Sequence, residues 1–368
     1  MACAIATGAV TAVLAGCGGG PAQAPPLTAR LSVAQLAGQR VIYSYSGLTP
    51  PSGLLDLIQH GEAAGVIFFG GNIASTTQIA GVISQLDRAN ASPDNPLHAL
   101  PLLLMTDQEG GLVRRLPGAP LLSEKQIGAA DDSAAEATAA GTGAGQTLAG
   151  VGMNVNLAPV LDVYRAPGDF DDQFGRSYSS DPGTVSALGA DFITAQQATG
   201  VAATAKHFPG LGAAASYQDT DQQPVTLNVP LDELRSIDEY PFKAAIAAGV
   251  KLVMVSWAVY PALDPGRPAG LSPAVIGGEL RQRLGFTGVT ITDALEAGAL
   301  QAFGTTGQRA TLAATAGMDL ILCSSQTLDQ GEQARTALQQ GLASGTLNHA
   351  AFTAAVERII SLRSSLRR

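Results

Sequence analysis

Histidine and lysine are scarce in this chain, four of each in 368 residues, and cysteine and tryptophan are scarcer, at three and one. So few cysteines and histidines, at no ligand-like spacing, give no reason to expect a zinc module or any other metal site. Positive charge is also in deficit: 21 Lys and Arg against 30 Asp and Glu leave a net charge of −9. Such a chain has little with which to neutralise phosphates, which argues against a nucleic-acid partner. No Gly-rich phosphate fingerprint follows the first apolar strand, and no cofactor is implied. Long apolar runs are missing too, since the stretch from Met1 to Leu14 is too short to span a bilayer as a mature helix.

Leu14-Ala15-Gly16-Cys17 follows that stretch and resembles the lipobox of bacterial lipoproteins. The resemblance implies a signal peptide over 1–16, lipidation of Cys17, a flexible Gly/Pro/Ala-rich tether over 17–30 and a single folded domain over 31–368. It places the protein outside the cytoplasm, touching the membrane only through a lipid anchor. No Lys or Arg precedes Cys17, as a signal peptide requires, so a translation start further upstream is expected. The alternative is a disordered cytoplasmic extension. With Cys3 removed and Cys17 acylated, Cys323 is left alone in an apolar strand, where a thiol behaves as a small hydrophobe.

Eight short apolar runs recur with helical stretches between them, at 40–44, 65–69, 102–106, 153–157, 202–205, 252–256, 288–292 and 319–323. None alternates with polar residues, as expected of parallel strands buried on both faces. Ser32 with Gln35, Ser123, Asp181-Pro182, Asp232 and Ser272-Pro273 supply helix starts between them. Eight strand–helix repeats predict a single-domain α/β fold, a (β/α)8 TIM barrel, with a doubly wound open sheet as the alternative.

In a barrel, chemistry sits at the C-terminal ends of the strands. Asp107, Asp162, Lys206, His207, Trp257 and Asp293 fall there. A Lys-His pair in a chain so poor in both, with Asp219-Thr220-Asp221 a short loop further on, predicts a polar pocket that reads hydroxyls. Asp293 also has a local reading, as the N-cap of a helix over 294–302. The acidic residues Asp169, Asp171 and Asp172 are expected to be solvated. The loops 93–100, 166–173 and 213–218 are expected to shape the outer part of the pocket.

Several long motifs stand in one order. They are Thr106-Asp107-Gln108-Glu109-Gly110-Gly111 with Arg115, Asn156-Leu157-Ala158-Pro159-Val160-Leu161-Asp162, and Gly175-Arg176-Ser177 with Ser180-Asp181-Pro182. Lys206 to Gly210 and Thr292-Asp293 complete the set. From about Leu31 onward the chain resembles glycoside hydrolase family 3, in its single-domain branch of β-N-acetylglucosaminidases. The resemblance implies that Asp107 takes two hydroxyls of the sugar, helped by Arg115, Arg176, Lys206, His207 and Met254. It implies that Asp293 is the nucleophile of a retaining double displacement on β-linked amino sugars, with peptidoglycan fragments among the saccharide ligands.

The proton donor departs from that branch, which uses a histidine in an Asp-Ser-His loop. Here Asp219 matches the Asp and Asp221 stands where the histidine should be. Leu211, Trp257 and Ala294 replace polar residues common in the branch. His60 and His98 precede strands and belong at the opposite face, and His349 falls on the final helix. A carboxyl donates a proton near neutrality only if burial or neighbouring anions raise its pKa. Asp219 and Asp221, opposite Asp293, supply that pressure. The competing function is a saccharide-binding lipoprotein with impaired turnover, and a transferase or phosphorolytic relative is a third. Neither the sugar and linkage nor the oligomeric state is legible in the sequence.

Overall fold

The computed structural model describes residues 1–5, 7–9 and 26–366. Cys17 and half of the leader lie outside the described residues. Eight parallel strands form the expected barrel: β1 (Val41–Tyr43), β2 (Gly65–Ile67), β3 (Leu103–Thr106), β4 (Val155–Asn156), β5 (Ala202–Phe208), β6 (Leu252–Val255), β7 (Val289–Thr292) and β8 (Ile321–Leu322). They neighbour one another in chain order, and β8 pairs back onto β1 through Val41 with Ile321. A bridge between Ile291 and Leu320 closes the ring between β7 and β8. The open-sheet alternative is thereby excluded.

Side chains that point into the ring form their own apolar cluster, among them Ile42, Ile67, Met105, Leu157, Leu252, Met254, Ile291 and Leu322. Those that point out pack against the surrounding helices in a second, larger cluster. This two-sided burial is why the strands read as continuous apolar runs. Ile359 and Leu362 of the last helix (His349–Ser365) join the inner cluster and plug its lower end. Arg363 of that helix donates to the carbonyl of Pro101 at 2.7 Å, and Arg358 donates to Asp319 Oδ1 at 2.7 Å.

The helix starts behave as read at Ser32, Ser123 and Asp181, whose side chains accept from the backbone three residues on. Asp232 lies inside a short helix (Leu231–Glu233) that begins after Pro230. The folded body begins earlier than Leu31: Leu27–Arg30 is a short helix, and the Thr28 hydroxyl donates to Glu357 at 3.2 Å. The tether boundary at 30 is corrected accordingly. Among the described residues, no helix is long and apolar enough to cross a membrane.

Candidate active site

The C-terminal ends of the strands enclose a cavity of about 250 Å³. Ile67, Leu157, Met254 and Leu322, the topmost inward residues of four strands, line it from the barrel interior. Polar residues from the end of β5 and from the loops that follow the strands complete the lining: Asp107, Glu109, Arg115, Arg176, Lys206, His207, Asp219, Asp221 and Asp293. All nine predicted catalytic and substrate-binding residues therefore meet in one hollow. Asp162 and Trp257, expected at the mouth, do not line it. Trp257 is fully buried and donates Nε1–H to the carbonyl of Ala294 at 2.8 Å.

The loop after β3 is shaped by Gln108. Its side chain accepts from Leu116 N and donates to the carbonyls of Leu116 and Ala119. Asn156, at the end of β4, pairs with both main-chain groups of Gln108 at 2.9 and 3.1 Å. Gly110 turns the loop at φ +123°, where a Cβ would meet the Leu122 carbonyl oxygen at 2.2 Å. Asp107, Glu109 and Arg115 are thus presented by a fixed frame. The Arg115 Nε is buried without a partner, a donor left for a ligand oxygen.

Strand β5 runs three residues further than its sequence indicates, through Lys206 and His207. Its pairing with β6 shifts between Ala205 and Phe208, and such a bulge re-aims side chains. Lys206 Nζ reaches Asp107 Oδ1 at 2.9 Å and Glu109 Oε1 at 2.6 Å. Arg176 grips Glu109 with two bonds and Asp171 with a third. Burial alone would raise the Glu109 carboxyl, but Arg176 and Lys206 outweigh it and hold the carboxyl down to about 2. Glu109 was given no role in the sequence, where it stands only as a member of the motif from Thr106 to Gly111.

His207 places Nδ1 2.7 Å from Asp162 Oδ2, while its own amide and that of Leu211 point at Asp162 Oδ1. Burial lowers the imidazole to about 4, so it is neutral at physiological pH. We assign the Nδ1–H tautomer, which leaves Nε2 as the free ring nitrogen. Asp171 lies behind this pair, and burial pushes it up to about 7 against the pull of Arg176. The neighbouring charge of Asp162 adds to that rise. Asp162, Asp171 and His207 have the composition of a metal site. However, tetrahedral zinc bonds of about 2.0 Å would hold ligand atoms about 3.3 Å apart. The observed 2.7 Å contact is a hydrogen bond.

The three aspartates of the 166–173 loop are bonded to protein rather than solvated. Asp171 and Asp172 are buried on Arg176 and Lys125, and Asp169 caps the amides of Arg165 and Ala166. Phe170 of this loop reaches the cavity, whereas no residue of loop 93–100, which precedes β3, does so. His60, His98 and His349 are likewise absent from the lining.

Asp293 follows β7, and its Oδ1 accepts from the Ala294 amide at 2.7 Å. It caps no helix, because the next helical turn begins only at Gly298. Asp221 keeps an exposed face at the rim. Protein packed around its carboxyl, then the charges of Asp293, Asp219 and Glu296, push it up to about 7.

A closed parallel barrel whose C-terminal mouth gathers carboxylates and cations in one hollow defines a (β/α)8 protein with its candidate site where such barrels carry their chemistry. Residues 30–362 match the family model described as the glycosyl hydrolase family 3 N terminal domain, and the chain belongs to that family. It is 45% identical over 337 residues to an uncharacterized secreted glycosyl hydrolase of Arthroderma benhamiae, covering 91% of this chain and 94% of that one. It is 35% identical over 304 residues to a beta-hexosaminidase of Stenotrophomonas maltophilia, covering 78% and 86%. Among solved structures, the family 3 beta-N-acetylglucosaminidase of Paenibacillus sp. superposes with a TM-score of 0.85 at 35% identity. That match covers 91% of this chain and 62% of that longer one. The beta-N-acetylhexosaminidase of Beutenbergia cavernae superposes with a TM-score of 0.81 at 32% identity, covering 91% and 99%.

Proposed function

We propose that the protein is a retaining β-N-acetylhexosaminidase that removes single amino-sugar units, with Asp293 as nucleophile and Asp221 as proton donor. The observation that carries this reading is the pair of carboxyls in one cavity, one of them, Asp221, pushed up to about 7 by burial and then by its anionic neighbours. A carboxyl with that pKa holds its proton at weakly acidic pH, as a general acid must.

In the first step the Asp293 carboxylate bonds to C1 as the bond from C1 to the leaving oxygen breaks. Asp221 delivers its proton to that oxygen. Asp221, now a carboxylate, then takes a proton from water while the water oxygen attacks C1 and frees Asp293. Asp107, Lys206, Arg176, Arg115, His207 and Met254 hold the sugar during both steps. Asp219 orders the donor, accepting the Asp221 amide at 2.9 Å. The cavity volume of about 250 Å³ suits a single sugar ring, which favours cleavage from chain ends.

Chitin-like or peptidoglycan-derived fragments are the substrates this reading favours. The named relatives support an amino sugar, and the secreted fungal relative supports an extracytoplasmic location. Removal of 1–16 and acylation of Cys17 would tether the barrel to a membrane surface. Mass spectrometry of the mature N-terminus tests this.

The deciding experiment compares aryl N-acetyl-β-D-glucosaminides of rising leaving-group pKa in Asp221→Asn and Asp293→Asn. Asp221→Asn should spare the 2,4-dinitrophenyl glycoside and lose the poor leaving groups, while Asp293→Asn should lose all of them. A wild-type protein that binds sugar but turns over no aryl glycoside would establish the binding-lipoprotein reading instead.

A further inference from the structure

The segment that carries Asp221 is fastened to the segment that carries Asp293. The Asp221 carbonyl accepts the Gly298 amide at 2.7 Å, and the Thr220 carbonyl accepts the Ala299 amide at 3.0 Å. Thr220, Gly298 and Ala299 are buried, so water cannot readily replace these two bonds.

The approach is close enough to demand glycine. A Cβ at position 298 would meet the Gln222 carbonyl oxygen at 2.1 Å, its carbon at 2.3 Å and the Gln223 nitrogen at 2.9 Å. All three are main-chain atoms of the Asp221 loop and cannot swing aside as a side chain would. The loop is also locked on itself. Asp219 accepts the Asp221 amide and the Gln222 side chain through its carboxylate, and the Gln222 and Gln223 amides through its carbonyl.

On the other side, the stretch between Asp293 and Gly298 has its own anchors. The Leu295 amide donates to the Leu322 carbonyl at 3.1 Å. Glu296 is held by Ser324 and Gln330, each at 2.9 Å. The Gly298 side of the contact is therefore fixed to the barrel, and the Asp221 side is held rigid by its own bonds.

We propose that the Gly298 and Ala299 amides form a main-chain clamp that sets the separation of the Asp221 and Asp293 carboxyls, with Gly298 as a positioning residue. This rests on the assignment of those two carboxyls as donor and nucleophile. The distance matters because two-carboxyl glycosidases retain configuration at about 5–5.5 Å and invert it at about 6.5–9.5 Å. A displacement of about 1 Å is enough to cost a large part of the rate.

The test is Gly298→Ala, which should push the donor loop outward while leaving the nucleophile and sugar contacts in place. For p-methoxyphenyl N-acetyl-β-D-glucosaminide, kcat/KM is expected to fall about 100-fold. For the 2,4-dinitrophenyl glycoside, which leaves without a proton, it should fall about 3-fold or less. Equal losses on both substrates, or no loss on either, would overturn the clamp. Should the variant not fold, hydrogen exchange on the unaltered protein decides. Peptides spanning 297–300 should exchange as slowly as the barrel strands, and rapid exchange there sinks the proposal. The two assignments fail separately. Rapid exchange with a leaving-group-dependent defect in Asp221→Asn rejects only the clamp, whereas slow exchange with an unaffected Asp221→Asn rejects the donor.

Discussion

Arg176 holds Glu109 by two parallel bonds, Nε to Oε2 at 2.9 Å and Nη2 to Oε1 at 3.0 Å, in the wall of the cavity. Bidentate pairing of this kind fixes both groups in direction as well as distance. Since Glu109 also receives Lys206, one buried carboxylate aligns two of the cations proposed to meet the sugar.

Glu109→Gln should therefore damage both stability and substrate binding. Breaking a buried pair costs about 3–5 kcal/mol, and the lower end applies because Arg176 keeps Asp171 and Lys206 keeps Asp107. Urea unfolding and the KM for an aryl glycoside measure the two effects. The stabilisation from Glu109 is present above its unfolded pKa and is lost as pH falls towards about 2.

The upper limb of the pH profile should report Asp221. Its proton is required for the first step, so kcat/KM for a poor leaving group should fall as pH rises through about 7. Glu296 adds to the pressure that keeps this proton on. Glu296→Gln removes a negative charge, so the limb should move to lower pH. A limb that stays put in Glu296→Gln, with activity otherwise intact, contradicts the assignment.

Thermal stability should be greatest at mildly acidic pH. Burial raises Asp171 and Asp238 to about 7 each. A carboxyl raised on folding binds its proton more tightly in the native state. Its favourable contribution is complete below the unfolded pKa of about 4 and is lost as pH rises through about 7. A scan of Tm from pH 5 to pH 8 should decline, and Asp238→Asn should flatten part of the decline.

Asp162→Asn should disturb His207 more than it disturbs the fold. The amide cannot match the carboxylate as acceptor for both the imidazole and the two main-chain donors now on Asp162. We expect about a tenfold loss in kcat/KM carried by KM, with a shifted His207 ring resonance in NMR.

Most of the barrel was legible because strands buried on both faces leave an uninterrupted apolar signature. The end of β5 was not, since Lys206 and His207 look like the start of a loop. They are tolerated in a strand because Asp107, Glu109 and Asp162, 45 to 99 positions away, receive them. The roles of Glu109 and Asp172 were hidden for the same reason, because Arg176, Lys206 and Lys125 meet them only after the chain has closed on itself. Asp171 pairs with Arg176 only five positions on, a loop contact that no periodic pattern announces. Trp257 was misplaced because its position in sequence gives the strand end but not the direction of the ring. The attachment of Asp221 to Gly298 was not legible, because main-chain contacts leave no mark on composition.

The helix His349–Ser365 supplies the floor of the ring, with Ile359 and Leu362 in the inner cluster and Arg358 tied to Asp319. This helix follows all eight strands in the chain. The lower end of the ring cannot be filled until it has been made, so the growing barrel must wait with its inner apolar cluster open. A nascent chain stalled before Arg358 is expected to be cut readily by protease, and one released past Leu362 to resist.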